Sequence, residues 1–234
     1  MSYLRERRGL DVNVRSEPQM REYRTIADRI AADRPGRILD WGCGWGQVTE
    51  LLLERGLDVT AFDYDPGLEQ TEQLPLERFP KITAHRSPDP VLLPFDDDSF
   101  DAVLSLGVLE HVARPHDSLE ELKRVLVPRG TLYVYKLPNR YSYLERLAKA
   151  LGLYYHGAEP NDAVYTKRSA LELVVAHGFE IREFRRANML PLTLSGTLAS
   201  AAGGAIWAAN RGLARVPGLN LLSTNLELVA AAPA

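Results

Sequence analysis

Five apolar, strand-like runs alternate with helix-like runs between Arg37 and Leu137, and few architectures accommodate that order. The strand-like runs are "RILDWG", "LDVTAFD", "KITAHR", "FDAVLSLG" and "TLYVYKL". "FDAVLSLG" is almost continuously apolar, as expected of a strand covered on both faces. Between them, "QVTELLLERG" predicts a helix closed by Gly56, "PGLEQTEQL" a short helix, and "DSLEELKRVLVPRG" a helix capped by Asp117 and followed by Pro128. Strands and helices in series argue for a parallel sheet with helices on both faces.

The flanks add further elements. "EPQMREYRTIADRIAA" has apolar residues at helical spacing and runs into Pro35-Gly36. "NRYSYLERLAKALG" predicts a helix with Asn139 as cap and Gly152 as stop, and "TKRSALELVVAHG" another. "FEIREFRRA" and "LNLLSTNLELVAAA" predict two more strands. No proline- or serine-rich linker divides the 234 residues, so a single domain is expected: an N-terminal helical cap over 1–35, a core over 36–138, and additions over 139–165 and 189–215.

The chain carries a net charge of −3, which recommends neither nucleic acid nor an anionic surface as partner. The clusters Arg5, Arg7, Arg8 and Arg182, Arg185, Arg186 read as solvated faces rather than phosphate sites. One cysteine, Cys43, excludes an internal disulfide and fits a reducing, cytoplasmic setting; the N-terminus has no secretory pattern. The stretch 189–209 is free of charge, but its proline, glycines and hydroxyl residues make it a packed helix or a substrate-side cover, with a peripheral membrane contact left open.

In an open parallel sheet, ligands sit beyond the carboxyl ends of the strands. The first strand ends in "ILDWGCGWGQ", which puts Gly42, Gly44 and Gly46 in that loop. Glycines there allow close backbone approach and positive φ. The dinucleotide fingerprint wants its third glycine one residue later, where Gln47 stands, and Asp40 suits a cation better than a pyrophosphate. Asp63, 23 residues after Asp40, ends the second strand where a carboxylate can accept from both ribose hydroxyls; Tyr64 can lie on an adenine face. The plainer alternative makes Asp63 and Asp65 caps of a helix starting at Pro66.

Taken together, "ILDWGCGWG", "VTAFDYDP", "SPDPVLLPFDDDSFDAVLSLGVLEHV" and "LKRVLVPRGTLYVYKLPN" resemble the class I S-adenosylmethionine-dependent methyltransferases, in the small-molecule branch that includes ubiquinone-biosynthesis-type enzymes. The resemblance covers residues 36 to 139, more loosely to 187. It implies a Rossmann-like, seven-stranded, mostly parallel sheet whose last strand is antiparallel. The cofactor it implies is S-adenosyl-L-methionine, leaving as S-adenosyl-L-homocysteine. Asp40 and the backbone of Gly42, Cys43 and Gly44 would then hold the methionine part, and Asp63 the ribose. Asp89 would bond the adenine amino group beside Pro90, and Leu106 would offer backbone near the methionyl amine. This chain has Val91 where relatives carry a small or acidic residue. Cys43 reads as a small buried residue.

Methyl transfer is an in-line displacement, and a hydroxyl acceptor gains from a general base. Glu110 and His111, at the end of the fourth strand, and His156, in an aromatic irregular segment, are the candidates; the pair Glu110-His111 would alternatively only build its loop. His177 suits its helix end, and His85 and His116 read as strand-end and cap-region residues. No His, Cys or acid spacing suggests a metal site. The aromatic content of the additions (Tyr141, Tyr143, Tyr154, Tyr155, Tyr165 and Trp207) favours a small, partly hydrophobic acceptor methylated on oxygen. Two alternatives stay open: a protein that binds the sulfonium without methylating, and a nicotinamide-dependent oxidoreductase, disfavoured by its lack of a Tyr-x-x-x-Lys pair.

Overall fold

The computed structural model describes residues 16–153, 156, 162–192 and 201–234. Arg5, Arg7, Arg8, Tyr154 and Tyr155, singled out from the sequence, lie outside the described residues. Along the described chain run α1 (Glu17–Asp33), β1 (Arg37–Trp41), α2 (Gln47–Leu53), β2 (Asp58–Tyr64), β3 (Glu72–Pro75), β4 (Thr83–Ser87), β5 (Phe100–Leu106), α3 (Pro115–Val125), β6 (Leu126–Pro138), α4 (Tyr143–Ala150), α5 (Lys167–Val175), β7 (Glu180–Ala187), α6 (Gly203–Leu213) and β8 (Asn225–Ala231).

The strands form one sheet in the order β3-β4-β2-β1-β5-β6-β8-β7. Its centre, β4-β2-β1-β5-β6, is parallel throughout, and β8 enters antiparallel to both β6 and β7. The expected doubly covered parallel sheet with its antiparallel last strand is therefore present, with one strand more than the seven expected. That strand is β3, antiparallel to β4, and it replaces the expected helix "PGLEQTEQL". Glu and Gln favour helix only weakly, and hydrogen bonds from β4 outweigh that preference.

Period-two alternation builds two cores. Leu39, Val103, Leu132 and Val134 face α3 and α5, while Ile38, Ala102, Leu104, Tyr133 and Tyr135 face α1 and α2. Asp40 shares the parity of Ile38, so its carboxylate points at α2. α1 starts with Ser16, whose hydroxyl accepts from the Gln19 amide, and ends on Arg34 in the left-handed region just before Pro35.

Two expected caps are elsewhere. α3 begins at Pro115, which supplies a preset φ, so Asp117 sits inside the first turn and Arg114 takes the cap position. α4 is capped by Ser142; the Asn139 amide instead donates to the carbonyls of Leu221 and Ser223, tying β6 to the segment before β8. Pro128 does not follow a helix but lies within β6. Among the described residues no helix is long and apolar enough to cross a membrane.

Candidate functional site

The carboxyl ends of β1, β2, β4, β5 and β6 converge on one rim of the sheet, which gathers the residues expected there. β1 delivers Asp40, buried, with Oδ2 accepting a 2.6 Å bond from the Thr49 hydroxyl of α2. Burial pushes this carboxyl up to about 6, Thr49 opposes the rise, and the charge of Asp63 adds to it. A buried acid with another acid near it is short of positive charge. A bound cation would relieve it, so affinity for a cationic ligand is expected to rise as pH climbs through 6 and Asp40 ionises. Titration calorimetry with S-adenosylmethionine at pH 5 and pH 7.5 measures this; equal affinity would remove Asp40 from the site.

The loop after β1 is built to be small. Gly42, Gly44 and Gly46 have φ of +77°, +53° and +82°. A Cβ on Gly42 would lie 2.5 Å from Val108 Cγ2, and one on Gly46 2.3 Å from Leu76 Cδ1. A Cβ on Gly44 would meet no atom within 4 Å, so this glycine borders open space. The amides of Gly42 and Cys43 both donate to the Phe62 carbonyl at 2.9 Å. These two N–H groups are spent on β2, which leaves the carbonyl oxygen as the group Gly42 offers. Carbonyls accept, so they suit an ammonium and not a phosphate. Cys43 is buried, and desolvation followed by the charges of Asp63 and Asp40 pushes its thiol up; it is packing, with no thiolate character.

On β2, Asp63 Oδ1 accepts from the Tyr64 amide at 3.0 Å, and both side chains are half-buried. Asp65 turns the other way, onto the Gly67 amide and near Arg86. No helix starts at Pro66, so Asp63 and Asp65 cap none. After β4, Asp89 Oδ1 accepts from the amides of Val91 and Leu92, both at 2.8 Å, which holds its carboxyl below the usual range. One oxygen shapes the loop, and Oδ2 is left over for a ligand. Pro90 beside it is exposed, and Leu106 ends β5 half-buried.

Beyond β5, Gly107 at φ +69° turns the chain so that Val108 packs on Gly42 and Glu110 points inward. Glu110 is 2% exposed, its Oε2 has no hydrogen-bond partner among the described residues, and burial pushes its carboxyl up to about 7. His111 Nδ1 is 2.7 Å from Asp162 Oδ1, and its Nε2 is 3.9 Å from Glu110 Oε1. His156 stacks on His111 with ring centroids 5.9 Å apart, and its Nδ1 is 2.9 Å from Glu145 Oε1. Burial lowers the His156 pKa, but the Glu145 carboxylate prevails and raises it. Each imidazole thus has an acid at Nδ1, and His111 turns its Nε2 toward Glu110.

The fold brings together all three proton-handling candidates, and it supplies two partners that sequence reasoning missed, Asp162 and Glu145. One ligand-capable atom from each of Glu110, His111 and His156 lies within 4.8 Å of the others, a grouping that sequence spacing did not suggest and that is close enough to share a proton or a cation. Lys136 is also new. A bulge at Tyr135-Lys136, with Lys136 at φ +65°, turns it toward Tyr23 of α1, with Nζ 4.4 Å from the ring centre. The signal was a lysine in the otherwise apolar "LYVYKLP". The remaining histidines lie elsewhere: His116 and His177 pair with each other, His177 with Glu120, and His85 with Gln73.

Comparison with known proteins bears on the family. Residues 39–134 match the family described as a methyltransferase domain. The chain is 33% identical over 160 residues to a demethylmenaquinone methyltransferase of Renibacterium salmoninarum, covering 65% of this chain and 66% of that protein. It is 33% identical over 141 residues to a ubiquinone biosynthesis O-methyltransferase of Maricaulis maris, covering 58% and 53%. The chain spans about half to two thirds of the length of the curated relatives it matches. Among solved structures, the 1,6-didemethyltoxoflavin-N1-methyltransferase of Burkholderia thailandensis, seen with that compound and S-adenosylhomocysteine, superposes with a TM-score of 0.59 at 20% identity, over 97% of this chain and 83% of that one.

Proposed function

The chain belongs to the class I S-adenosylmethionine-dependent methyltransferases, and on that premise we propose that it methylates a hydroxyl of a small, partly hydrophobic acceptor. The observation that carries the oxygen is Glu110. An uncharged amine needs no base to attack a methyl group, whereas a hydroxyl does better when its proton has somewhere to go. A buried carboxylate held near 7, with an unpartnered oxygen, is such a place at neutral pH.

When bound, the cofactor supplies a methyl group on cationic sulfur, open to in-line displacement. The chain's part is to bind, align and remove a proton. Asp40 and the Gly42 carbonyl receive the ammonium end, with backbone at Cys43, Gly44 and Leu106 beside it. Asp63 accepts from the ribose hydroxyls, Tyr64 and Pro90 flank the adenine, and Asp89 Oδ2 accepts from its amino group. Glu110 takes the acceptor proton, and His111, steered by Asp162, stands ready to pass it on through Nε2. The names of the two curated relatives support an acceptor of the quinone-precursor kind, a phenolic ring on an apolar body. The buried Tyr165, close enough to Glu110 to feel its charge, is in keeping with such an acceptor.

Incubation with a labelled methyl donor and a panel of phenolic acceptors tests this. Label recovered in an ether methyl supports the assignment; label found only on nitrogen or carbon overturns it. Asp63→Ala is expected to weaken cofactor binding by about a hundredfold, since a carboxylate bonded to two hydroxyls contributes on the order of 3 kcal/mol. Calorimetry reads it directly, and unchanged affinity would refute the ribose role.

A further inference from the structure

A cavity of about 420 Å³ opens between α1, α6 and the β7-β8 edge. Five cations converge on it from three elements: Arg185 and Arg186 of β7, Arg211 of α6 with Arg215 just past its end, and Lys167 of α5. The acids in its wall are Glu22 and Glu227. Arg185 Nε pairs with Glu227 Oε2 at 2.5 Å, and Asn188 donates to Glu22. Among the described residues, Lys167, Arg186, Arg211 and Arg215 have no carboxylate partner, so the cavity carries an uncompensated positive charge.

Aromatic rings lie against four of these side chains, and only Arg185 among those four also has an acid partner among the described residues. Arg211 lies 4.9 Å over Trp207, Arg185 5.6 Å over Tyr135, and Lys167 and Arg186 lie 5.1 and 5.7 Å from Phe184. Stacking fixes the guanidinium planes while leaving their N–H edges unspent. Like charges gathered in a concave space repel one another unless something of opposite sign sits among them. Planar five-donor forks converging from two elements match the oxygens of a phosphate or diphosphate, and the cavity falls in the size range of small-molecule sites. The pair Arg185-Arg186, which the sequence alone placed on a solvated face, is half-buried, and both residues line this cavity.

We propose that this cavity is a binding site for a phosphate or diphosphate group, carried either by a soluble molecule or by a lipid headgroup. The inference does not depend on the methyl-transfer reading. Isothermal titration of the full chain with inorganic pyrophosphate, without methyl donor, tests it. Binding is expected, and Arg211→Gln should weaken it about tenfold, with Arg186→Gln adding a comparable loss. Arg211 is exposed and its replacement should leave the fold intact; unchanged affinity for S-adenosylmethionine in the same variant checks that. Sedimentation with phosphatidic acid vesicles distinguishes the source: capture that pyrophosphate competes away and Arg211→Gln weakens supports the headgroup. Binding of pyrophosphate alone supports the soluble ligand. Failure to bind either probe, or binding that both variants leave untouched, overturns the site.

Discussion

Glu110→Gln is expected to lower the methyl-transfer rate by about 10²- to 10⁴-fold while cofactor affinity stays the same, because it removes the proton acceptor and nothing that touches the donor. The substitution is isosteric, so the Oε2 position keeps its space and loses its charge. In the unaltered protein, kcat/KM should climb with pH through about 7 as Glu110 ionises, and the variant should lose that step.

A second readout separates proton transfer from simple damage. The Glu110 carboxyl titrates near 7 when folded and near 4.5 when not, so its ionised form is disfavoured in the native state. The stability this costs appears as pH rises from 4.5 to 7 and is constant above. Glutamine escapes it, so at pH 8 the variant should be more resistant to denaturant, by up to about 3 kcal/mol. Activity lost with stability gained fits a proton acceptor; activity and stability lost together would mean that Glu110 merely holds its loop.

Gly42→Ala should be strongly damaging in the loop after β1. A left-handed φ costs a residue with a side chain about 1 kcal/mol or more, and a Cβ at 2.5 Å from Val108 adds an overpacking cost of about 1–3 kcal/mol. The total of about 2–4 kcal/mol would show as a shifted denaturation midpoint. Val108 sits two residues before Glu110, so its displacement should also lower the transfer rate. Gly44→Ala is the matched control. It meets no protein atom, so it should lose only about 1 kcal/mol of stability while intruding on the space a ligand needs. If both variants lose stability equally, the close approach of Val108 to Gly42 does not hold.

The cofactor half of the site was legible because it is local. Asp40, Gly42 and Gly44 follow one strand directly, Asp63 ends the next, and a parallel sheet forces those ends to one rim. Asp162 and Glu145 were not legible, for the opposite reason. Asp162 reaches His111 from 51 residues away, in a stretch whose sequence shows only an acid among turn formers, and Glu145 reads as an ordinary charge on α4, 11 residues before the His156 it holds. Lys136 was hidden by the bulge that turns it, since an unbroken β6 would have alternated it regularly. The missed strand β3 shows the limit of helix propensity in a stretch where Leu74 is the one apolar residue between Glu72 and Pro75 and pairing with β4 decides the outcome.

The two ends of the sheet are poor templates for another chain. β3 is four residues long and finishes on Pro75, which donates no ladder hydrogen bond. β7, at the other margin, has five charged residues among its eight, with Arg182 and Glu183 exposed side by side. An incoming strand would have to desolvate those charges to zip on. An eight-stranded sheet with a near-continuously apolar middle is a hazard during synthesis, when its borders are briefly bare. Here the middle is insulated by borders that resist edge-to-edge growth, so fibrillar association should remain slow even in variants that loosen the helices.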